Sequence, residues 1–350
     1  MTHAVLPAKL ATTPPSPGAN PMTIPTETHA IRFHQTGGPE VLKWETVSLA
    51  APGAGEVTLR NKACGLNFID TYHRSGLYPV QLPSGIGLEG AGIVEAVGPG
   101  VTTLKVGDRV AYCAAPLGSY AEWRNYPADK LVKIPDSIDF NTAAAMMLQG
   151  MTVAYLIRHS FKVEKGMTVL FHAAAGGVGL LACQWLSAIG ATVIGTVGSE
   201  EKAALARKHG CHHTILYRQE NVAEKVRALT KGAGVPVVYD SVGKDTWEGS
   251  LDSLSPRGMM VSFGNASGPV PPVNLGILSQ KGSLYVTRPT LYHYTSTKES
   301  LRETADALFD VVAKGKVKIE IHQAYALADA AQAHVDLEGR KTTGSTVILP

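Results

Sequence analysis

The stretch from residue 168 to 190, TVLFHAAAGGVGLLACQWLSAIG, constrains the fold more than any other part of the chain. An apolar run ends at His172. A turn of small residues follows, Ala173 to Gly179, and an apolar, helix-like run begins after it. The layout is that of the dinucleotide fingerprint G-x-G-x-x-G, with Ala174 in the first glycine slot and Gly176 and Gly179 in the other two. A glycine in the middle slot lets the main chain approach a pyrophosphate. One in the third lets helix and strand pack closely, and the helix N-terminus turns its N–H groups toward the phosphates. Small-residue turns also occur as plain tight turns, but this one lies between a strand-like run and a helix-like run, which points to a dinucleotide.

Beyond the turn, strands and helices alternate. Residues 191–197 read as a strand, 200–209 as a helix, 213–217 as a strand and 222–230 as a helix. Residues 235–239 then form a strand ending at Asp240, about 245–254 a helix, and 258–263 a strand. This alternation predicts an α/β domain: a doubly wound parallel sheet with helices on both faces, its ligand at the carboxyl ends of the strands. Upstream, from Ala30 to about Leu131, short β-rich runs such as 56–59 and 91–94 are divided by Gly and Pro, which predicts a compact all-β or barrel-like unit. Near Thr142 the texture changes: residues 141–148 read as a capped helix start and 152–159 as a second helical run. A helix over 297–314 and a strand over 346–349 close the chain. The simplest arrangement inserts the doubly wound domain, residues 151–286, into a discontinuous β-rich domain of residues 29–150 and 287–350.

A chain of 350 residues accommodates two such domains. Its net charge of +3 is scattered, so no dedicated nucleic-acid surface is expected. Cys64, Cys113, Cys183 and Cys211 form no C-x-x-C pair, which argues against a zinc knuckle or a disulfide scaffold and for a reducing, cytoplasmic setting. No apolar run reaches the roughly 18 residues of a membrane span. Residues 1–28, rich in Pro, Thr and Ala, are expected to be a disordered tail.

Several further stretches carry a resemblance. They are Gly85 to Val94 (GIGLEGAGIV), Val106 to Val110 (VGDRV), Asn67 to Tyr72 (NFIDTY) followed by Ser75 to Tyr78 (SGLY), Phe171 to Gly179 (FHAAAGGVG), Tyr239 to Gly243 (YDSVG) and Val261 to Asn265 (VSFGN). Together they resemble the zinc-free quinone oxidoreductases, the zeta-crystallin-like branch of the medium-chain dehydrogenase/reductase superfamily. The likeness runs from about His29 to Pro350. It implies a Rossmann domain inserted into a GroES-like catalytic domain, a homodimer, a nicotinamide cofactor and a quinone substrate. Zinc alcohol dehydrogenases of the superfamily hold a catalytic zinc with Cys and His. The matching positions here carry Asn67 and Leu88, which supply neither the sulfur nor the nitrogen ligand, so no metal is expected.

The choice of cofactor rests on the end of the second strand. NAD-selective sites place an acid about 20 residues past the fingerprint. Here the strand ends Thr196-Val197-Gly198-Ser199, with no acid. Gly198 leaves room, Ser199 can donate a hydrogen bond, Lys202 supplies charge and Tyr217 stands to cover the adenine end, so NADPH is expected. Glu200 and Glu201 are expected to face solvent from the first helical turn, where the dipole favours acids. The resemblance adds Phe68, Tyr72, Thr152, Gly177, Val178, Val242, Phe263, Gly264, Asn265, Ala266, Arg288, Pro289, Thr290 and Arg340 as cofactor contacts.

Asn67, Tyr72 and Tyr78 are the expected catalytic groups, lining the nicotinamide and quinone pocket. Each can donate a hydrogen bond to a quinone oxygen as negative charge develops there, and a tyrosine offers a stacking face. The residues identify no general acid, and they leave hydride transfer and one-electron steps both open. Two other readings stand beside quinone reduction: an NADPH-dependent reductase of activated C=C bonds in enones or alkenals, and an NADPH-binding protein with little turnover. Residues 261–263 and 283–286 are the expected strands for extending a sheet across a dimer.

Overall fold

The protein is described by a computed structural model covering residues 24–350. Its centre is a sheet of six strands in the order His213–Leu216, Thr192–Val197, Thr168–Phe171, Val235–Asp240, Leu254–Ser262 and Tyr285–Thr287. Every neighbouring pair in it is parallel. The period of two sorts its side chains onto two faces. Phe171, Val193, Tyr239 and Val261 pack on one side with Leu181, Trp185 and Leu186 of the helix Gly177–Ile189. Leu170, Ile194, Val238 and Met260 pack on the other with Val226, Trp247 and Leu251. Burial on both faces is why these strands read as continuous apolar runs in the sequence.

A second sheet of seven strands is mostly antiparallel, in the order Ile321–Ala326, Ser345–Leu349, Glu56–Leu66, Glu89–Val97, Arg109–Tyr112 and Val132–Lys133, with Trp123–Pro127 also paired to Glu56–Leu66. The last strand of the chain therefore lies beside one of the first, with Thr346 opposite Leu66. A small sheet of Lys43–Ser48, Glu27–Phe33 and Ser84–Gly85 covers one side.

Several elements depart from the sequence reading. The β-rich unit contains a helix, Phe68–Ser75. Its sequence, FIDTYHRS, is rich in β-branched and aromatic residues, which favour strands. It is helical because the Asp70 carboxylate accepts the Asn67 N–H at 2.9 Å, and because Gly76, at φ 86°, ends it in the left-handed conformation. The helix expected to start at Asn141 is Phe140–Ala144, capped by Asp139, which accepts the Thr142 N–H. The next helix is Met147–Tyr155, starting five residues before the expected run, and it continues as a π turn over Leu156–Ser160. The strand Leu254–Ser262 begins four residues early. Strand Ile321–Ala326 and helix Ala330–Glu338 were unassigned. The first strand begins at Glu27, inside the expected tail, and the rest of that expectation, residues 1–23, lies outside the described residues.

Candidate active site

A cleft of about 1050 Å³ runs along the carboxyl ends of the parallel sheet, against the second sheet. Its floor is the fingerprint turn. Ala173 takes a left-handed φ of 54° and lets the chain reverse into the helix at Gly177. A side chain at Gly176 would point into open space, with only the Ala173 oxygen near, at 3.3 Å. A Cβ at Gly179 would collide with that same oxygen and lie 2.7 Å from Ala174, so the third slot has no room for a side chain. Gly176, Gly177 and Val178 line the cleft. Ala174 does not: the first slot points down, and its methyl is buried against Gly195.

At the adenine end, Gly198, Lys202, Tyr217 and Arg340 line the cleft. A Cβ at Gly198 would sit 2.9 Å from the Tyr217 hydroxyl, so the glycine lets that ring close over the strand end. The Lys202 ammonium donates to the Arg340 carbonyl at 3.1 Å, and the Arg340 guanidinium reaches the Tyr217 hydroxyl at 3.4 Å. Ser199 is turned away from the cleft, where its oxygen caps the helix Glu200–Lys208 by accepting the Lys202 N–H. Glu200 and Glu201 are exposed as expected, Glu200 lying 3.7 Å from Arg207. Glu220, a carboxylate lining this rim, is engaged by the Leu216 N–H and by Lys225, both at 2.8 Å. Two cations and no acid at the strand end fit a ribose 2′-phosphate.

At the opposite end, Tyr72 and Tyr78 meet edge to face with ring centres 5.2 Å apart. The Tyr72 oxygen accepts the Asn265 N–H at 3.1 Å. The Tyr78 oxygen accepts from Arg288 at 2.9 Å and from the Asn265 side chain at 3.4 Å. Burial pushes the Tyr72 phenol up to about 12, so it stays protonated. Phe68, Thr152, Val242, Phe263, Gly264, Ala266, Pro289 and Thr290 also line the cleft. Below the Val242 turn, Asp240 accepts the N–H groups of Val242 and Gly243 at 2.7 and 3.0 Å and the Ser250 hydroxyl at 2.8 Å.

Asn67 is buried in the wall of the cleft, and its amide is already engaged. It donates to the Glu89 carboxyl at 2.7 Å and accepts from Gln149 at 3.2 Å. Gln149 in turn accepts the Ser345 hydroxyl at 2.9 Å. Glu89 is fully buried, and loss of water pushes its carboxyl up to about 8 against hydrogen bonds that pull it down. Asp70, also buried, is raised to about 7 for the same reason, although it accepts from Asn67 and Tyr120. The sequence reading missed Gln149. A lone polar side chain in the apolar run Met146-Met147-Leu148-Gln149-Gly150-Met151 was the available signal.

Among the described residues, no three His, Cys, Asp or Glu side chains are gathered as a metal site. The donor set at the two zinc positions does not fit zinc either: the Asn67 amide is held by Glu89 and Gln149, and Leu88 offers only an alkyl group.

Comparison with known proteins agrees with this layout. Residues 53–136 match the alcohol dehydrogenase GroES-like domain family, and residues 177–314 match the zinc-binding dehydrogenase family. A quinone oxidoreductase of Pseudomonas aeruginosa is 62% identical over 321 residues, 91% of this chain and 99% of that protein. A 2-haloacrylate reductase of a Burkholderia species is 49% identical, over 92% of this chain and 98% of its own. A crystal structure of Escherichia coli quinone oxidoreductase complexed with NADPH matches with a TM-score of 0.91 at 53% identity, covering 92% of this chain and 100% of that one.

Proposed function

The chain belongs to the quinone oxidoreductase family of the medium-chain dehydrogenases/reductases, and from that premise we propose that it reduces quinones with NADPH, without a metal ion. Bound NADPH supplies the hydride; the protein holds and orients the reactants. Lys202 and Arg340 hold the 2′-phosphate, and the N–H groups at the start of the helix Gly177–Ile189 face the pyrophosphate.

The observation that carries the reading is the hydrogen bonding of the two tyrosines. Each phenol oxygen accepts from a protein donor, Tyr72 from Asn265 and Tyr78 from Arg288, and neither hydroxyl donates to a protein acceptor among the described residues. Each O–H is left to donate to an acceptor in the cleft. A quinone presents two oxygens that only accept and that gain negative charge on reduction, and donors fixed in advance stabilise that charge. Tyr72 and Tyr78 therefore carry catalytic roles in this reading, and Asn67 joins them through the second hydrogen of its NH2, which the bond to Glu89 does not use.

The 49% identity to a 2-haloacrylate reductase favours a second reading, reduction of an activated C=C bond beside a carbonyl. A steady-state panel of quinones, enones and 2-haloacrylate with NADPH separates the two. Quinones turning over fastest is the expected result; turnover confined to C=C substrates would refute quinone reduction.

The division into a discontinuous domain (29–150 with 287–350) and an inserted one (151–286) is supported in outline by the pairing of Ser345–Leu349 with Glu56–Leu66 and by the six parallel strands between Thr168 and Thr287, although its boundaries fall inside the helix Met147–Tyr155 and the strand Tyr285–Thr287. A homodimer is supported by the edge strand Tyr285–Thr287, where Tyr285 is 58% and Val286 39% exposed. Residues 261–263 do not belong to that surface, because the strand Leu254–Ser262 is flanked by a partner on each side. Sedimentation tests the dimer. Four cysteines, all unpaired and buried, support a cytoplasmic setting. No helix among the described residues is long and apolar enough to cross a membrane.

A further inference from the structure

Glu89 lies outside the cleft, yet it is the end point of a hydrogen-bond chain that reaches it. Its carboxyl is fully buried, with no ion-pair partner among the described residues. The fold makes room for it: its partner across the ladder is Gly65, where a Cβ would collide with Oε2. Oε1 accepts the Leu148 N–H at 2.7 Å, from the first turn of the helix Met147–Tyr155. Oε2 accepts from Asn67 Nδ2 at 2.7 Å. The Asn67 oxygen then faces Gln149 Nε2, and the Gln149 oxygen faces the Ser345 hydroxyl. Every donor in the chain points toward Glu89.

The two ends of a side-chain amide are nearly equal in shape, so packing does not decide which end faces which way. The carboxyl does. Its two oxygens both accept, one from Leu148 and one from Asn67, an arrangement that no amide can reproduce. An amide at position 89 has one oxygen. With that oxygen on the Leu148 N–H, its NH2 faces Asn67, and the chain reverses. Asn67 turns its oxygen toward residue 89, Gln149 follows, and the Ser345 hydroxyl rotates. Asn67 and Gln149 both line the cleft, so the reversal redirects the N–H and C=O groups offered to the acceptor.

We propose that Glu89 is a positioning residue for quinone reduction, fixing through Asn67 and Gln149 the direction of the buried amide chain and hence the donor presented to the quinone oxygen. The inference rests on the reading above that Asn67 faces the acceptor.

A double-mutant cycle on kcat with 1,4-benzoquinone and NADPH tests it, using Glu89→Gln, Asn67→Ala and the pair. Each single change is expected to lower kcat by at least about tenfold, the scale of one misdirected transition-state donor. The pair is expected to fall no more than about twofold further, because both changes act through one group. The Kd for NADPH, read by nucleotide fluorescence, stays within about twofold of wild type and reports that the variants are folded. Gln149→Leu, which cuts the chain beyond Asn67 and spares Glu89, is expected to lower kcat in the wild-type background and to add nothing to Asn67→Ala. Losses that multiply, or wild-type kcat in Glu89→Gln, would overturn the proposal. No quinone turnover by the wild-type protein would instead refute the functional reading on which it rests.

Discussion

Replacing Glu89 by Gln should change how stability depends on pH, and the size of the change follows from burial. In the unfolded chain this carboxyl titrates at its ordinary 4.5, and in the folded protein at about 8. Below pH 4.5 it is protonated in both states and contributes no pH dependence. Between 4.5 and 8 the folded chain keeps a proton that the unfolded chain releases, so stability falls as pH rises, and above 8 the loss is complete. At about 1.36 kcal/mol per pH unit, the full loss is on the order of 5 kcal/mol. A glutamine is neutral in both states and carries none of it. Asp70, raised to about 7, has the same sign but is present in both proteins and cancels in the difference. Urea unfolding of the cofactor-free wild type and Glu89→Gln at pH 5 and pH 8.5 is the assay. The reversed amide chain gives the variant a fixed offset; with rising pH the wild type should lose several kcal/mol relative to it. A difference that stays constant with pH, or one in which the wild type gains on the variant, would refute the argument that burial governs this carboxyl.

Two other outcomes follow from the structure. Lys202→Ala should raise KM for NADPH about tenfold or more while changing KM for NADH little, because only the former carries the 2′-phosphate; an equal effect on both would remove Lys202 from the phosphate site. Arg74→Leu should destabilise the fold by about 2–3 kcal/mol, measured by urea unfolding at pH 7, because the Gly37 carbonyl and the His334 ring lose their donor while the Glu338 carboxylate is left facing water. The Arg74 side chain is only 2% exposed and bonds the Gly37 carbonyl, the ring of His334 and the carboxylate of Glu338 at once. A loss under about 1 kcal/mol would show that its partners re-pair with water at little cost.

Elements whose signal is local were legible in the sequence. The fingerprint turn, the strands around it and the helices Glu200–Lys208 and Lys298–Ala313 were placed to within a residue or two, because apolar period, cap and glycine agree there. Phe68–Ser75 was not, because its side chains favour a strand and the carboxylate of Asp70 makes it a helix. The cleft was largely legible too, but through resemblance. Ala174 and Ser199 fell out of it for geometric reasons. A slot in a motif does not say which way its side chain points, and a hydroxyl at a strand tip is also the best available helix cap. The chain Glu89–Asn67–Gln149–Ser345 was beyond reach, since its members are far apart in sequence and meet only when the second sheet has formed against the helix Met147–Tyr155.

That last meeting has a consequence for the order in which the molecule can form. Ser345 belongs to the strand Ser345–Leu349, which fills the place beside Glu56–Leu66. The whole six-stranded parallel sheet lies between those two strands in sequence, and it can pair by itself through shorter crossovers. The long-range pairing that brings Ser345 to Gln149 closes a far longer loop, so the nucleotide-binding half of the cleft can be ordered while its reaction end is still unfinished.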